Sequence, residues 1–132
     1  MVGGVKFSKK EVEFINRHEV CRFATCLNDR PHVVPVCYIF LNNNFYIATD
    51  YNTRKFKNVS RNRNVALVID TYKPNKAVMV EGIADIIEYG QEFKEIYKLF
   101  HDRFEWVRRE PWDEGEAPFI RVSVIKKVSW GL

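Results

Sequence analysis

Thr49, Thr53, Arg54 and Lys55 form the part of this chain best suited to chemistry. They lie in Phe45-Tyr-Ile-Ala-Thr-Asp-Tyr-Asn-Thr-Arg-Lys-Phe-Lys-Asn58, which reads as a strand, a polar turn and the start of a basic helix. Thr53 stands where an N-cap would, and Arg54 and Lys55 fill the first helical turn. That turn normally favours Asp or Glu, because the helix dipole already places partial positive charge there. An anion resolves the conflict. A phosphate would take hydrogen bonds from free backbone amides, Thr hydroxyls and the guanidinium together. A solvated helix face would also account for the cations, and their continuation through Lys57, Arg61 and Arg63 would suit nucleic acid. Those readings stay open at this level.

The elements that must hold these residues follow from pattern. Ser8-Lys-Lys-Glu11 is a capping box opening a short helix, with Val12 and Ile15 expected on its buried side. Strands are predicted at Val20–Leu27, His32–Leu41 and Phe45–Ala48, joined by Asn28-Asp-Arg-Pro31 and Asn42-Asn-Asn44. A basic helix over about 54–61 turns Phe56 and Val59 to the core. Val65–Asp70 is nearly all apolar, which predicts a strand covered on both faces. Ala77–Ile87 follows, with Gly82 marking a bulge or close backbone approach. Phe93, Ile96, Tyr97, Phe100 and Phe104 predict an amphipathic helix over roughly 89–104. Glu105 to Pro118 reads as a loop, and a last strand runs from Ile120 towards Trp130. The expected fold is mainly β (α+β), a six-stranded antiparallel split barrel with capping helices, in one domain over 1–132.

Composition narrows the function classes. With 46% hydrophobic residues and a formal charge of +4, the chain suits a globular protein that accepts an anionic ligand. It lacks the concentrated basic surface of a nucleic-acid binder, so no nucleic-acid partner is expected. No apolar run approaches a membrane span, and the first residues lack the apolar core of a signal peptide, so a cytoplasmic location without a membrane partner is expected. Cys21, Cys26 and Cys37 are an odd number within β-prone sequence, which fits reduced thiols. Cys21 and Cys26 are five apart on one strand and point to opposite faces, so no metal site is expected. No Gly-rich phosphate loop occurs.

The succession Arg-Pro-His-Val-Val-Pro-Val, an Asn-rich turn, Phe-Tyr-Ile-Ala-Thr, Thr-Arg-Lys, Lys-Asn and Asn-Val-Ala-Leu-Val-Ile-Asp resembles the pyridoxamine 5'-phosphate oxidase-like, FMN-binding split-barrel family. The similarity runs from about Val20 to Ile87, with weaker support at Val122–Trp130. It implies a homodimer with flavin at the subunit interface, acting on a small-molecule substrate by hydride transfer at flavin N5. It also implies that Thr49, Arg54 and Lys55 hold the FMN phosphate, with Ala48 and Thr53 as further cofactor-binding residues. Val33, Val34, Pro35, Val36 and Tyr38 then match the strand along the isoalloxazine, partly through backbone atoms, with Pro35 and Val36 forming a wall. Trp130 is a further cofactor contact, and Tyr38 or His32 stands near the open face. No catalytic side chain is implied, because a flavin brings its own redox centre.

The vitamin-processing oxidases of the family carry Arg and Lys where this chain has Val33 and Tyr38, and a flavin-contacting Gln where it has Ala77. The chain is more similar to the shorter branch, whose members bind FMN or an 8-hydroxy-5-deazaflavin coenzyme. A flavin-binding or electron-transfer module without turnover shares the same pocket.

Overall fold

The computed structural model describes residues 4–132. Its strands are β1 (Val20–Leu27), β2 (Arg30–Leu41), β3 (Asn44–Ala48), β4 (Asn64–Thr71), β5 (Lys76–Ile87) and β6 (Phe119–Trp130). They close an antiparallel barrel in the order β1-β2-β3-β6-β5-β4. Four helices accompany it: α1 (Lys9–Arg17), α2 (Arg54–Arg61), α3 (Gln91–Arg103) and α4 (Glu105–Arg109). The six-stranded barrel with capping helices is therefore the fold the sequence predicts.

Local chemistry sets the hairpins. Asn28-Asp29 and Asn42-Asn43 occupy left-handed backbone, with φ of 53° and 61°, and of 53° and 63°. Such paired positive φ values match the twist of the flanking strands, and Asn and Asp tolerate them best after glycine. Gly82 answers a different need. The β5–β6 register shifts between Glu81 and Gly82, and a Cβ there would lie 2.6 Å from both the Ser123 carbonyl oxygen and Val122 Cγ1.

β2 is shared between two halves of the barrel. Arg30–Cys37 pair with β1, whereas Tyr38–Leu41 pair with β3. Residues 30–37 thus have one edge without a strand partner. Pro35, opposite Arg22, lies in that stretch, where a residue without an amide donor is tolerated.

Two cores result. Phe23, Tyr38, Phe45, Leu67, Ile69 and Ile120 fill the barrel. Outside it, Phe93, Ile96 and Phe100 of α3 pack on Ile39, Tyr46 and Phe119. A fully buried aliphatic or aromatic side chain contributes about 1.5–3 kcal/mol, so the aromatic seam holds α3 firmly against the sheet.

Three expectations need correction. β4 is covered on one face: Val65, Leu67 and Ile69 are buried, while Ala66 and Val68 on the outer side are only partly so. In α1 the buried residues are Glu11, Phe14 and Ile15 rather than Val12 and Ile15. Glu11 is drawn in because its carboxylate binds Lys127, accepts from the Ser129 hydroxyl at 2.7 Å and closes the capping box with the Ser8 amide at 2.8 Å. Burial raises its pKa, but the Lys127, Ser8 and Ser129 donors outweigh this and bring it down to about 2. Finally, the segment after Phe104 contains α4, a single helical turn anchored by buried Val107.

Candidate functional site

The end of β3, the start of α2 and the approach to β6 converge on one side of the barrel. The Thr49 amide donates to the Pro118 carbonyl at 3.2 Å, tying the turn to the β6 lead-in. Thr53 is the N-cap of α2. Its Oγ1 accepts from the Phe56 amide at 3.3 Å and donates to the Asp50 carbonyl at 2.8 Å. Buried Thr49 places its own Oγ1 2.9 Å from that of Thr53. The turn is thereby fixed from within.

The first turn of α2 contains no acidic residue. Neither Arg54 nor Lys55 has an ion-pair partner among the described residues. Lys55 is half-buried, and burial pushes its pKa below the ordinary lysine value, with the Asp50 carboxylate acting the other way. A desolvated, unpaired ammonium beside a helix N-terminus favours an anion. These residues fit a phosphate.

The two cations do not share a cleft. Lys55 lines a space of about 300 Å³ with Ala48, Thr49, Asp50, Trp106 and Trp112. Arg54 lies over the other flank of α2, in a depression shared with Lys57, Arg61, Leu27 and Phe56. Neighbouring helical positions diverge by about 100°, so the pair straddles the helix start instead of pointing into one pocket.

The β2 residues separate by parity. Val33, 63% exposed, and Pro35 face outward. Val34 and Val36 stand opposite Phe23 and Cys21, which are buried in the barrel, so their side chains belong to the wall and only their backbone borders the open edge. Tyr38 is fully buried, and its hydroxyl donates to the Ile15 carbonyl at 2.5 Å. Desolvation pushes that phenol's pKa up, which suits a structural hydroxyl and removes the side chain from the open face. His32 pairs with Thr25 on the inward side, and its Nδ1 is buried without a partner.

Tyr38 pairs with Ile47, so Ala48 and Thr49 leave the ladder beside Cys37 and Val36. The structure therefore gathers Ala48, Thr49, Thr53 and Lys55, sets Arg54 on the adjoining flank, and keeps the free β2 edge close by. Trp130 is elsewhere. It ends β6, eleven residues beyond Phe119, the partner of Ala48; at ~3.3 Å per residue that is roughly 35 Å along the strand. Its indole N–H donates to Asn75 Oδ1 at 3.1 Å. Ala77, its strand partner, is fully buried.

Asp50 of the turn lines the Lys55 cleft too, as do Trp106, Glu110, Trp112 and Glu116, which reading 105–118 as a loop missed. The available signal was two tryptophans in a short segment rich in turn formers. Trp112 is fixed by its indole N–H, which donates to the Ala117 carbonyl at 3.1 Å, and by edge contact with Tyr97 at 4.9 Å. Trp106 lies nearly parallel to it, with centroids 6.0 Å apart and planes 10° from each other.

Among known proteins, a family model described as pyridoxamine 5'-phosphate oxidase matches residues 7–127. No curated protein matches the chain. Solved structures similar to it include a conserved hypothetical protein from Mycobacterium tuberculosis, with 20% identity and a TM-score of 0.77, covering 96% of this chain and 86% of that one. The heme storage protein HutZ from Vibrio cholerae has 12% identity and a TM-score of 0.79, over 94% of both chains. An FAD-binding protein from Mesorhizobium loti has 20% identity and a TM-score of 0.74, over 93% of both. At these identities the likeness concerns the fold.

Proposed function

The chain belongs to the pyridoxamine 5'-phosphate oxidase family, and from that membership we propose that it is an FMN-binding oxidoreductase acting on a small molecule. One observation carries the reading: a half-buried, unpaired Lys55 beside the Thr49–Thr53 hydroxyl pair at an α2 start that lacks any acid. Thr49, Thr53 and Lys55 hold the coenzyme phosphate from one side and Arg54 from the other. Val33 and Pro35, with the unpaired backbone edge of β2, support the ring system. A flavin bound there supplies the redox centre, exchanging a hydride with substrate at N5.

A homodimer completes this reading, because the outer sheet face is uncovered within one protomer. Register aligns Pro35, Arg22, Val68, Met79 and Val128 across five strands on that face, and Val33, Ala24, Ala66, Glu81 and Lys126 beside them. Small and apolar residues dominate, with Val33 and Val128 strongly exposed. A second copy on this face covers them, and it offers Trp130 a route to a site it cannot approach in its own protomer. The protein is expected to work in the cytoplasm; no helix among the described residues is long and apolar enough to cross a membrane.

The test is an absorption spectrum of the purified protein before and after adding FMN, followed by removal of excess ligand. Retained flavin bands are expected. Bands shifted as in a deazaflavin, or a protein that keeps neither coenzyme at micromolar concentration, would count against FMN.

A further inference from the structure

We propose that the cleft beside Lys55 is a subsite for a planar, positively charged heteroaromatic ring, with Trp106 as its stacking surface and Glu110 as its counter-charge. This deepens the flavin reading and rests on it for the substrate's role, since the subsite opens directly next to Thr49 and Lys55.

The geometry selects a ring. Trp112 is immobilised on three sides, by Tyr97, by Phe119 at 5.8 Å and by the Ala117 carbonyl. Trp106 rests against it at a 6.0 Å centroid separation. A third ring sandwiched between them would need roughly 7 Å, two gaps of ~3.5 Å, so a ligand cannot slip between the indoles. It must lie on the part of Trp106, a residue 37% exposed, that Trp112 and the Phe104 ring stacked at 6.3 Å leave open to the cleft. The rigid backing keeps that face presented, so little side-chain freedom is lost on binding.

Charge selects the sign. The lining contains three carboxylates, Asp50, Glu110 and Glu116, against one ammonium. Glu116 already accepts from the Asp113 amide at 2.6 Å, and Asp50 lies close enough to Lys55 to raise its pKa. Glu110 has no side-chain hydrogen bond or ion pair among the described residues. When phosphate neutralises Lys55, the remaining field is wholly acidic. An indole face attracts cations through its quadrupole, and does so more strongly when partly desolvated. Both terms disfavour an anionic ring.

The probes are 1-methylnicotinamide (cation), nicotinamide (neutral) and nicotinate (anion), titrated calorimetrically into wild-type protein with and without FMN. The cation should bind tightest and nicotinate weakest. Trp106→Leu should weaken cation binding by roughly 5- to 30-fold and Glu110→Gln by about 3-fold. Equal affinity for cation and anion, or cation binding unchanged in Trp106→Leu, overturns the proposal. If Trp106→Leu does not fold, the charge ranking in wild type and Glu110→Gln decides alone. Loss of FMN binding with the cation preference intact would sink the flavin reading and leave this subsite standing.

Discussion

Thr49 Oγ1 and Thr53 Oγ1 lie 2.9 Å apart, bridging the end of β3 and the cap of α2. The cap hydroxyl gives its one proton to the Asp50 carbonyl and accepts from the Phe56 amide, so Thr49 is the donor across this contact and swings its proton away from Thr53 to meet an incoming phosphate. Thr49→Val keeps the shape and removes the donor. FMN affinity should fall by about 10-fold, the worth of one hydrogen bond to a charged group, while the melting temperature changes little. Calorimetric titration with FMN checks it; unchanged affinity would exclude Thr49 from the phosphate site.

Lys55 and Arg54 flank α2 on different sides, so their deletions should differ. Lys55→Ala removes a half-buried charge and should cost about 10- to 100-fold in FMN affinity. Arg54→Ala removes an exposed one and should cost less, with an effect that shrinks in 0.5 M salt. Equal losses with equal salt dependence would mean both cations grip the ligand from one pocket.

Glu11 makes the fold sensitive to acid. Its folded pKa of about 2 lies below the ordinary 4.5, so its contribution is fully present above pH 4.5 and is lost as pH falls from there towards 2. Glu11→Ala leaves Lys127 unpaired and should destabilise by about 3 kcal/mol at pH 7. The gap between variant and wild type should close through that window, as denaturant melts at a series of pH values would show. A constant gap would mean that the carboxylate's packing, not its charge, holds α1.

Gly82→Ala should destabilise by about 1–3 kcal/mol, since the added methyl meets a backbone carbonyl that cannot step aside. Chemical denaturation measures this directly, and a neutral result would show that the β5–β6 bulge relaxes freely.

Val128→Glu places a charge at the β6 end of the uncovered outer face. If two copies join there, sedimentation should show a monomer and FMN should bind less tightly. A variant that remains dimeric would locate the subunit contact elsewhere.

Much of this architecture was readable from residue order, and the exceptions have physical causes. Asn28-Asp29 and Asn42-Asn43 announced the two tight hairpins, and Ser8 with Glu11 announced α1, because turns and caps depend on local chemistry. The helix from Arg54 to Arg61 was found with its boundaries for the same reason. Glu11 was not foreseen as buried, since its partners Lys127 and Ser129 lie more than a hundred residues away. The outer face of β4 looked like core because apolar side chains do not reveal whether their cover comes from the same chain. Tyr38 and the β2 valines were placed by resemblance, and only the strand's parity separated those facing the barrel from those facing out. Trp106 and Trp112 escaped because one turn of helix leaves too short a period to detect.

Residues 30–37 of β2 hold the barrel wall through the edge paired with β1, and leave their other edge and the outward side chains of Val33 and Pro35 out of that pairing. Residues such as Val33 can therefore be exchanged for larger or polar ones at little cost to folding. One scaffold can thus be retuned to new reactants by editing outward side chains on a strand whose pairing with its neighbour stays intact.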